Sequence, residues 1–153
     1  MNPIIPTQSH SDFTGVLYQY HLSEERRYGD IIVNDRVIYR GFFKNEFAHG
    51  YGSYCFQNGI VFEGSFVNGL LQGKGSLTSP MHDYLYIGNF HHGSAIGPGR
   101  LSHTNGSVYV GDFNHNVQAR LPIPHGQGKL TFEDGLAYEG IFMDGMPYEV
   151  KQV

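Results

Sequence analysis

A five-residue motif, aromatic-x-Gly-x-Phe, occurs five times along this chain at nearly constant spacing. Its copies occupy Tyr39, Gly41 and Phe43; Phe62, Gly64 and Phe66; Tyr86, Gly88 and Phe90; Tyr109, Gly111 and Phe113; and Tyr138, Gly140 and Phe142. The intervals between the copies are 23, 24, 23 and 29 residues. Such a period is typical of repeat proteins, in which each unit buries its apolar face only against its neighbours. Residues that every unit needs for packing are poor candidates for a unique active site.

A second segment follows each of the first four copies: a Gly-x-Gly pair and then alternating apolar positions. The pairs are Gly50-Tyr51-Gly52, Gly73-Lys74-Gly75, Gly97-Pro98-Gly99 and Gly126-Gln127-Gly128. Alternation with a period of two, rich in aromatic residues, predicts short strands rather than helices. Turn dipeptides separate the strands at Asn58-Gly59, Asn68-Gly69, Asn105-Gly106, Asp134-Gly135 and Asp144-Gly145. One unit is therefore predicted to be a β-hairpin, because these dipeptides accept the positive φ that tight hairpins need.

The glycine inside each motif needs its own explanation, because glycine weakens a strand. The aromatic residue, the glycine and the phenylalanine lie at i, i+2 and i+4, so they share one face of the strand. We interpret that face as the packed core. The missing side chain is expected to leave room for an aromatic ring from the neighbouring hairpin.

These motifs resemble the membrane occupation and recognition nexus (MORN) repeat, whose unit reads approximately Tyr-x-Gly-x-Phe-x-x-Gly-x-x-His-Gly-x-Gly. The fullest matches are Tyr39 to Gly52, which includes His49-Gly50, and the segment from His125 to Gly128. The departures from the pattern are Glu46 for the turn glycine, Phe62 for the first tyrosine, Gln72 and Ile96 for the histidine, and an insertion in the fourth repeat. The resemblance implies an all-β fold: an elongated, single-layer antiparallel sheet of stacked hairpins.

The domain boundaries follow from the repeats. We expect a flexible tail over 1–12, a degenerate capping repeat over 13–38, the array of about five units, the last one partial, over 39–148, and a tail over 149–153. In the capping repeat, Phe13 to Leu17 has the alternation of a first strand, and Gly29 to Ile38 is expected to be the second, with a turn at Asn34-Asp35. Terminal repeats are often atypical because they cap the stack. The insertion, residues 117–124, lengthens one hairpin turn and is either a recognition loop or a tolerated insertion.

The amino-acid composition disfavours nucleic acid as a partner and favours a reducing cellular compartment. The formal net charge is −4, with 10 Lys and Arg against 14 Asp and Glu, and the only basic doublet is Arg26-Arg27. Nucleic-acid binding is therefore not expected, since it needs clustered cations. The single Cys55 excludes an internal disulfide framework and fits a reducing compartment. Without an apolar run of membrane-spanning length or a leader pattern, we expect a cytoplasmic protein.

The sequence contains no pattern that indicates catalysis. Of the nine histidines, His49 and His125 occupy equivalent repeat positions, so turn packing or hydrogen bonding explains them without metal chemistry. No spacing matches a tetrahedral metal site. The Gly-x-Gly pairs continue into strands, whereas a phosphate-binding loop leads into a helix. We expect a protein that is not an enzyme and that carries no metal and no cofactor.

The residues between the motif positions face the other side of the sheet, where no second layer is expected. Six of them are apolar and form the predicted partner-binding set: Phe42, Tyr51, Ile87, Pro98, Val110 and Ile141. Such a stripe favours docking of a helix or an extended peptide. Two other interpretations stay open: the N-terminal segment folds back over these residues, or they have no role. The aromatic face, the insertion and an unpaired terminal strand are further candidates for the binding site.

The expected function is that of a non-catalytic scaffold or adaptor for another protein. The resemblance to MORN proteins implies a cytoskeletal, motor or ciliary (axonemal) partner, association with the cytoskeleton or a cilium, and end-to-end homodimers through a terminal strand edge. One alternative is a membrane-surface adaptor that binds anionic phospholipid headgroups, although the charge balance opposes it. Another is an accessory subunit that positions a separate enzyme.

Overall fold

The computed structural model describes residues 7–11, 17–22, 27–56, 58–115 and 121–153. Within these residues every regular element is a β-strand, and the strands form one antiparallel sheet in which spatial order follows chain order. The thirteen strands are β1 (Thr7–Ser11), β2 (Leu17–Leu22), β3 (Arg27–Val33), β4 (Arg36–Lys44), β5 (Phe47–Cys55), β6 (Val61–Val67), β7 (Leu70–Ser79), β8 (Tyr84–His91), β9 (Ser94–His103), β10 (Val108–His115), β11 (Pro122–Thr131), β12 (Ala137–Met143) and β13 (Met146–Gln152). The predicted fold, a single-layer row of stacked hairpins, is confirmed.

One glycine from each strand between β3 and β12 lies in a single row across the sheet. Each glycine is directly opposite the next: Gly29, Gly41, Gly52, Gly64, Gly75, Gly88, Gly99, Gly111, Gly128 and Gly140. We call this set the glycine row. Val150 takes the next position, on β13. The row fixes the register of the array, since a shift of one residue would turn every ring of the motif to the other face.

Tyrosine rings lie over the glycine row. A Cβ at position 99 would be 2.7 Å from Cε2 of Tyr86 and 2.9 Å from its hydroxyl oxygen. Each hydroxyl donates a hydrogen bond to the carbonyl three residues on, from Tyr86 to Asn89 at 3.2 Å and from Tyr109 to Asp112 at 3.1 Å. Burial raises the pKa of both phenols from 10.0 to about 12, so they remain protonated donors even in solution somewhat above pH 10.

At most positions of the glycine row, the covering ring does not come from the neighbouring hairpin, contrary to the prediction from the sequence. Gly41, Gly52, Gly88, Gly99, Gly111 and Gly128 are covered by the tyrosine of their own hairpin. At Gly75 the contact is instead made by a ring from the next hairpin, that of Phe90, at 3.4 Å. The reason is geometric: a tyrosine two residues before the glycine can lie flat along its own strand and reach the i+3 carbonyl, whereas Phe62 has no hydroxyl to hold it there.

The two glycines of each Gly-x-Gly pair have different tasks. The second belongs to the glycine row, and the first lies in a β-bulge with positive φ, +98° at Gly50 and +102° at Gly126. In each of these hairpins three residues of the second strand oppose one residue of the first, as residues 49–51 oppose Phe42. Bulges bend and twist a hairpin, and glycine adopts their positive φ without strain.

The core is a chain of edge-to-face aromatic contacts on the motif face. Tyr86 contacts Phe90 of its own strand at 5.4 Å and Phe113 of the next hairpin at 4.8 Å. Tyr39 and Tyr109 repeat the arrangement with the phenylalanines of their own and the following hairpins. Tyr86 is 0% exposed and Phe142 is 1% exposed. One face of a flat single sheet would remain open to solvent, so burial this complete means that the sheet curves around its rings.

The predicted hairpin turns are present, in two types. Two-residue turns with positive φ at both positions include Asn68-Gly69, Asp144-Gly145 and His92-Gly93. The longer turns at Asn58, Asn105 and Asp134 are closed by a side-chain oxygen that accepts a hydrogen bond from the backbone N–H two residues on. Asn and Asp favour this turn because their short side chains reach that N–H group.

Both predicted tails contain strand. Thr7–Ser11 of the expected 1–12 tail forms β1, and most of the expected 149–153 tail lies in β13, which pairs with β12 up to Gln152. Val150 packs against the core on this last strand, which explains why the chain continues as a strand after the motif ends. Pro147 is tolerated there because β13 is the last strand of the sheet.

The degenerate first unit and the insertion also differ in detail. Asn34-Asp35 is a turn as expected, but Arg36 to Ile38 already belong to β4, and the part of the predicted first strand over 13–16 lies outside the described residues. Of the insertion, Pro122 to Pro124 lie in β11, where Pro122 is opposite His115 and Pro124 is opposite Phe113. The insertion therefore extends the strand pairing, while residues 116–120 lie outside the described residues.

Candidate partner-binding face

The six residues of the predicted partner-binding set lie on the face opposite the aromatic core, which we call the open face. Tyr51 is 63% exposed, Ile87 53% and Val110 50%, and Pro98 is also exposed. Phe42 and Ile141 are half-buried. The strands thus place all six residues on one face but do not present them equally.

Phe42 is half-buried because it packs within the sheet surface. Its ring meets that of Tyr28 on the neighbouring strand at 5.1 Å in an edge-to-face contact. It also lies over the bulge glycine, since a Cβ at Gly50 would be 3.3 Å from the Phe42 Cβ. Tyr28 and Phe42 therefore form an aromatic pair on the open face, whereas Tyr51 on the next strand is more exposed than either ring.

The register shows that the predicted stripe is not continuous. A single row beside the glycine row runs through Asp30, Arg40, Ser53, Glu63, Ser76, Ile87, Arg100, Val110, Lys129, Glu139 and Lys151. We call this set the outer row. Ile87 and Val110 lie two strands apart in it, with Arg100 between them. A period-two pattern read along each strand cannot show what stands on the next strand, so the sequence did not reveal this cation.

The beginning of the outer row is closed by an ion pair. Arg40 donates two hydrogen bonds to Asp30, from Nε at 2.7 Å and from Nη2 at 2.9 Å. The hydrogen bonds and charge of Asp30 raise the pKa of the Arg40 guanidinium. This bidentate geometry pairs the charges of Arg40 and Asp30 with each other, so little of their hydrogen-bonding capacity remains for a partner.

A second candidate lies on the aromatic side. A groove of about 490 Å³ is lined by Tyr54, Phe56, Phe62, Phe66, Leu70, Leu71 and residues of the turn at His92-Gly93. It occurs where Phe62 replaces the tyrosine of the motif, and the Phe62 ring contacts Phe56 at 5.2 Å and Phe90 at 5.6 Å. The departure at Phe62 is the sequence signal that could have located this groove.

At His125 and at Gln72, the side chain at the repeat-histidine position connects its hairpin to the turn of the next hairpin. Nδ1 of His125 accepts a hydrogen bond from the backbone N–H of Asp144 at 3.4 Å. Gln72, which replaces the histidine in the second unit, accepts the equivalent bond from His92 N–H at 3.0 Å through Oε1. His49 makes no such bond, and its Nδ1 is buried without a hydrogen-bond partner. His125 and Gln72 therefore stabilise the array by hydrogen bonding, which the sequence allowed for His125.

Among the residues that the structure describes, no three His, Cys, Asp or Glu side chains lie close enough to hold a metal ion. In the same part of the chain, no helix has the length and apolar character needed to cross a membrane.

The last strand offers a third surface. β13 pairs with β12 on one side only and ends the sheet. Met146 is 68% exposed and Tyr148 64% on this strand, while Pro147 removes one backbone donor from it. Proline and charged residues such as Glu149 and Lys151 are features that blunt edge-to-edge pairing.

Comparisons with known proteins agree with the repeat geometry. A model of the MORN repeat family matches residues 39–61, 62–84, 86–108 and 123–137, more than half of the chain. Three of these matches begin at a motif aromatic residue, and the fourth begins within β11, at the end of the insertion. Alsin of Rattus norvegicus is 32% identical over 108 residues, which are 67% of this chain but 6% of alsin, so the chain spans only a small part of that relative. Four family matches on a sheet of glycine-registered hairpins lead to one conclusion: the chain belongs to the MORN repeat family.

Proposed function

We propose that this chain is a non-catalytic scaffold that docks a helix or an extended peptide of another protein on its open face. The observation that carries the proposal is a difference between the two faces in the exposure of their side chains. The motif rings are buried by packing, with Tyr86 0% exposed, while Ile87 and Val110 remain about half exposed on a face that no second layer of described residues covers. MORN repeats are in general non-catalytic interaction modules, for proteins or for membrane lipids.

The kind of partner is a separate part of the proposal. A cytoskeletal, motor or ciliary partner, and a cytoplasmic location near such structures, are supported by the family resemblance alone. Alsin shares the repeat region but is far longer than this chain, so its own assemblies do not transfer to it.

Affinity purification from native cell extract tests the proposal. The wild-type chain is compared with a Tyr51→Asp, Ile87→Asp, Val110→Asp triple variant, because these three side chains are the most exposed large apolar members of the predicted set. Met81→Asp is the matched control, since Met81 is 71% exposed but lies in the turn before β8. Circular dichroism and a thermal melt establish that each variant is folded.

The expected result is a defined protein that binds the wild type and the Met81→Asp control but is lost from the triple variant. A partner that all three forms retain would move the site to the aromatic groove, the insertion or the β13 edge. Retrieval of no protein by any form would contradict a protein scaffold altogether.

A lipid-binding alternative has one observation in its favour. The cations Arg100 and Lys129 alternate with Ile87 and Val110 along the outer row, and an anionic membrane surface attracts cations that are flanked by apolar groups. Flotation with phosphatidylserine vesicles distinguishes it, since salt-sensitive binding by the wild type would favour the lipid function.

A further inference from the structure

Arg100 is a charge without a carboxylate partner at the middle of the open face. Its Nε donates a hydrogen bond at 3.2 Å to Ser102 on its own strand, and among the described residues no acidic side chain pairs with it. Asp112 lies on the neighbouring strand opposite Pro98, but its carboxylate lies over Gly126 on the far side, as a Cβ there would be 3.4 Å from Oδ2. The guanidinium is therefore available to an acidic group from outside.

The apolar neighbours of Arg100 stand symmetrically around it. In the outer row Ile87 precedes it by one strand and Val110 follows by one strand, with exposed fractions of 53% and 50%. Lys129 continues the row by one more strand and is opposite Glu139, so its charge is partly balanced within the sheet. We call Ile87, Arg100, Val110 and Lys129 the Arg100 patch.

The spacing of the patch selects a helix over an extended peptide. Neighbouring strands lie about 4.8 Å apart, so the patch alternates apolar and cationic groups at that step. Helix positions three and four residues apart lie on one face and advance about 4.5 to 6 Å along the axis. Same-face residues of an extended peptide are about 6.8 Å apart and would lose register after one step.

Resting on the proposed scaffold function, we infer that the Arg100 patch binds an acidic amphipathic helix of a partner protein, laid across β8 to β11. In this helix, two apolar residues about seven positions apart contact Ile87 and Val110. An Asp or Glu that lies three or four positions from both of these apolar residues pairs with Arg100. A guanidinium–carboxylate pair with two parallel hydrogen bonds supplies orientation as well as affinity. Apolar contacts on both sides of this pair exclude water from it.

A peptide-display selection on the intact chain tests the inference. The probe is a library of helical peptides of about 18 residues, long enough for four steps of the patch, with every position of one face randomised. It is selected in parallel against wild type, Arg100→Glu and Lys151→Glu. Lys151→Glu is the matched control because it makes the same charge reversal in the same outer row at the far end of the sheet. Thermal melts verify that both variants are folded.

The expected outcome is enrichment on wild type of peptides with Asp or Glu three or four positions from apolar residues. The affinity of these peptides is expected to fall at least tenfold for Arg100→Glu and by a smaller factor for Arg100→Gln, because both changes remove the charge-assisted hydrogen bond. For Lys151→Glu the affinity is expected to stay within about twofold of wild type, because that bond is kept. Selection on Arg100→Glu enriches Lys or Arg at the same helix position.

Three outcomes would overturn the inference: no enrichment, enriched peptides without the acidic position, or binding that Arg100→Glu leaves unchanged. Binding of phosphatidylserine vesicles that depends on Arg100, without peptide enrichment, would assign the patch to a membrane instead. If the partner from native extract is lost from the Tyr51, Ile87, Val110 triple variant but kept by Arg100→Glu, the scaffold function stands and this inference fails.

Discussion

At the scale of the residue, glycine and tyrosine act as one unit. The tyrosine of the motif needs two facing glycines, one on its own strand and one on the next, and its hydroxyl then reaches the i+3 carbonyl. Where one part is missing the arrangement changes. Phe62 lacks the hydroxyl, and its ring contacts Phe56 and Phe90. In the last unit Val150 replaces the second glycine opposite Gly140, and the Tyr138 ring contacts Phe132.

The first prediction concerns Gly99. Gly99→Ala is expected to destabilise the fold by about 1–3 kcal/mol, because the new methyl group would overlap the Tyr86 ring. In a Tyr86→Leu background the same substitution should cost clearly less, since the ring that it displaces is gone. Urea unfolding of the four proteins of this double-mutant cycle measures the coupling. Equal costs in both backgrounds would contradict ring placement as the reason for the glycine.

At the scale of the element, a side chain in the bulge ties one hairpin to the next at Gln72 and at His125. His125 and Gln72 differ chemically, yet each presents an acceptor to the backbone N–H of the following turn. The sequence allowed a hydrogen-bonding role for His49 and His125, but it counted Gln72 as a departure from the pattern. The equivalence appears only when the two acceptors are compared in the structure, because donor and acceptor lie about twenty residues apart in the chain.

The second prediction tests this connection at Gln72. Gln72→Ala is expected to expose the His92 amide, and hydrogen exchange there should accelerate about fivefold for the loss of roughly 1 kcal/mol. Gln72→His should keep most of the protection, because imidazole Nδ1 performs the same task at His125. The Asp144 amide serves as the internal control and should not change in either variant. Unaltered exchange at His92 in Gln72→Ala would show that the bond contributes nothing.

At the scale of the whole molecule, the sequence predicted the sheet, its turns and the division of residues between two faces. Period-two patterning and the turn dipeptides are local signals, so they can be recognised from a single sequence. The neighbours of Ile87 across the strands are not local, and neither Arg100 between it and Val110 nor the contact of Phe42 with Tyr28 could be predicted. The same limit hid the strand character of residues 149–152, which depends on pairing with β12.

The side chains of the two faces thus differ in their exposure to solvent. One face is closed by the motif rings, and the other displays the outer row and the exposed ring of Tyr51. A partner that binds the open face can approach without disturbing the packing that holds the array together, whereas a partner in the aromatic groove would contact core rings such as Phe62 and Phe66.

Site-specific photocrosslinking in native extract tests this division most directly. A benzophenone side chain is introduced singly at Tyr51, Ile87 or Val110 on the open face, at Phe56 in the aromatic groove and at Tyr148 on the β13 edge. We predict that the three open-face positions crosslink to the same partner protein and that positions 56 and 148 do not. Crosslinks confined to position 56 or position 148, or none at the open face, would contradict the account.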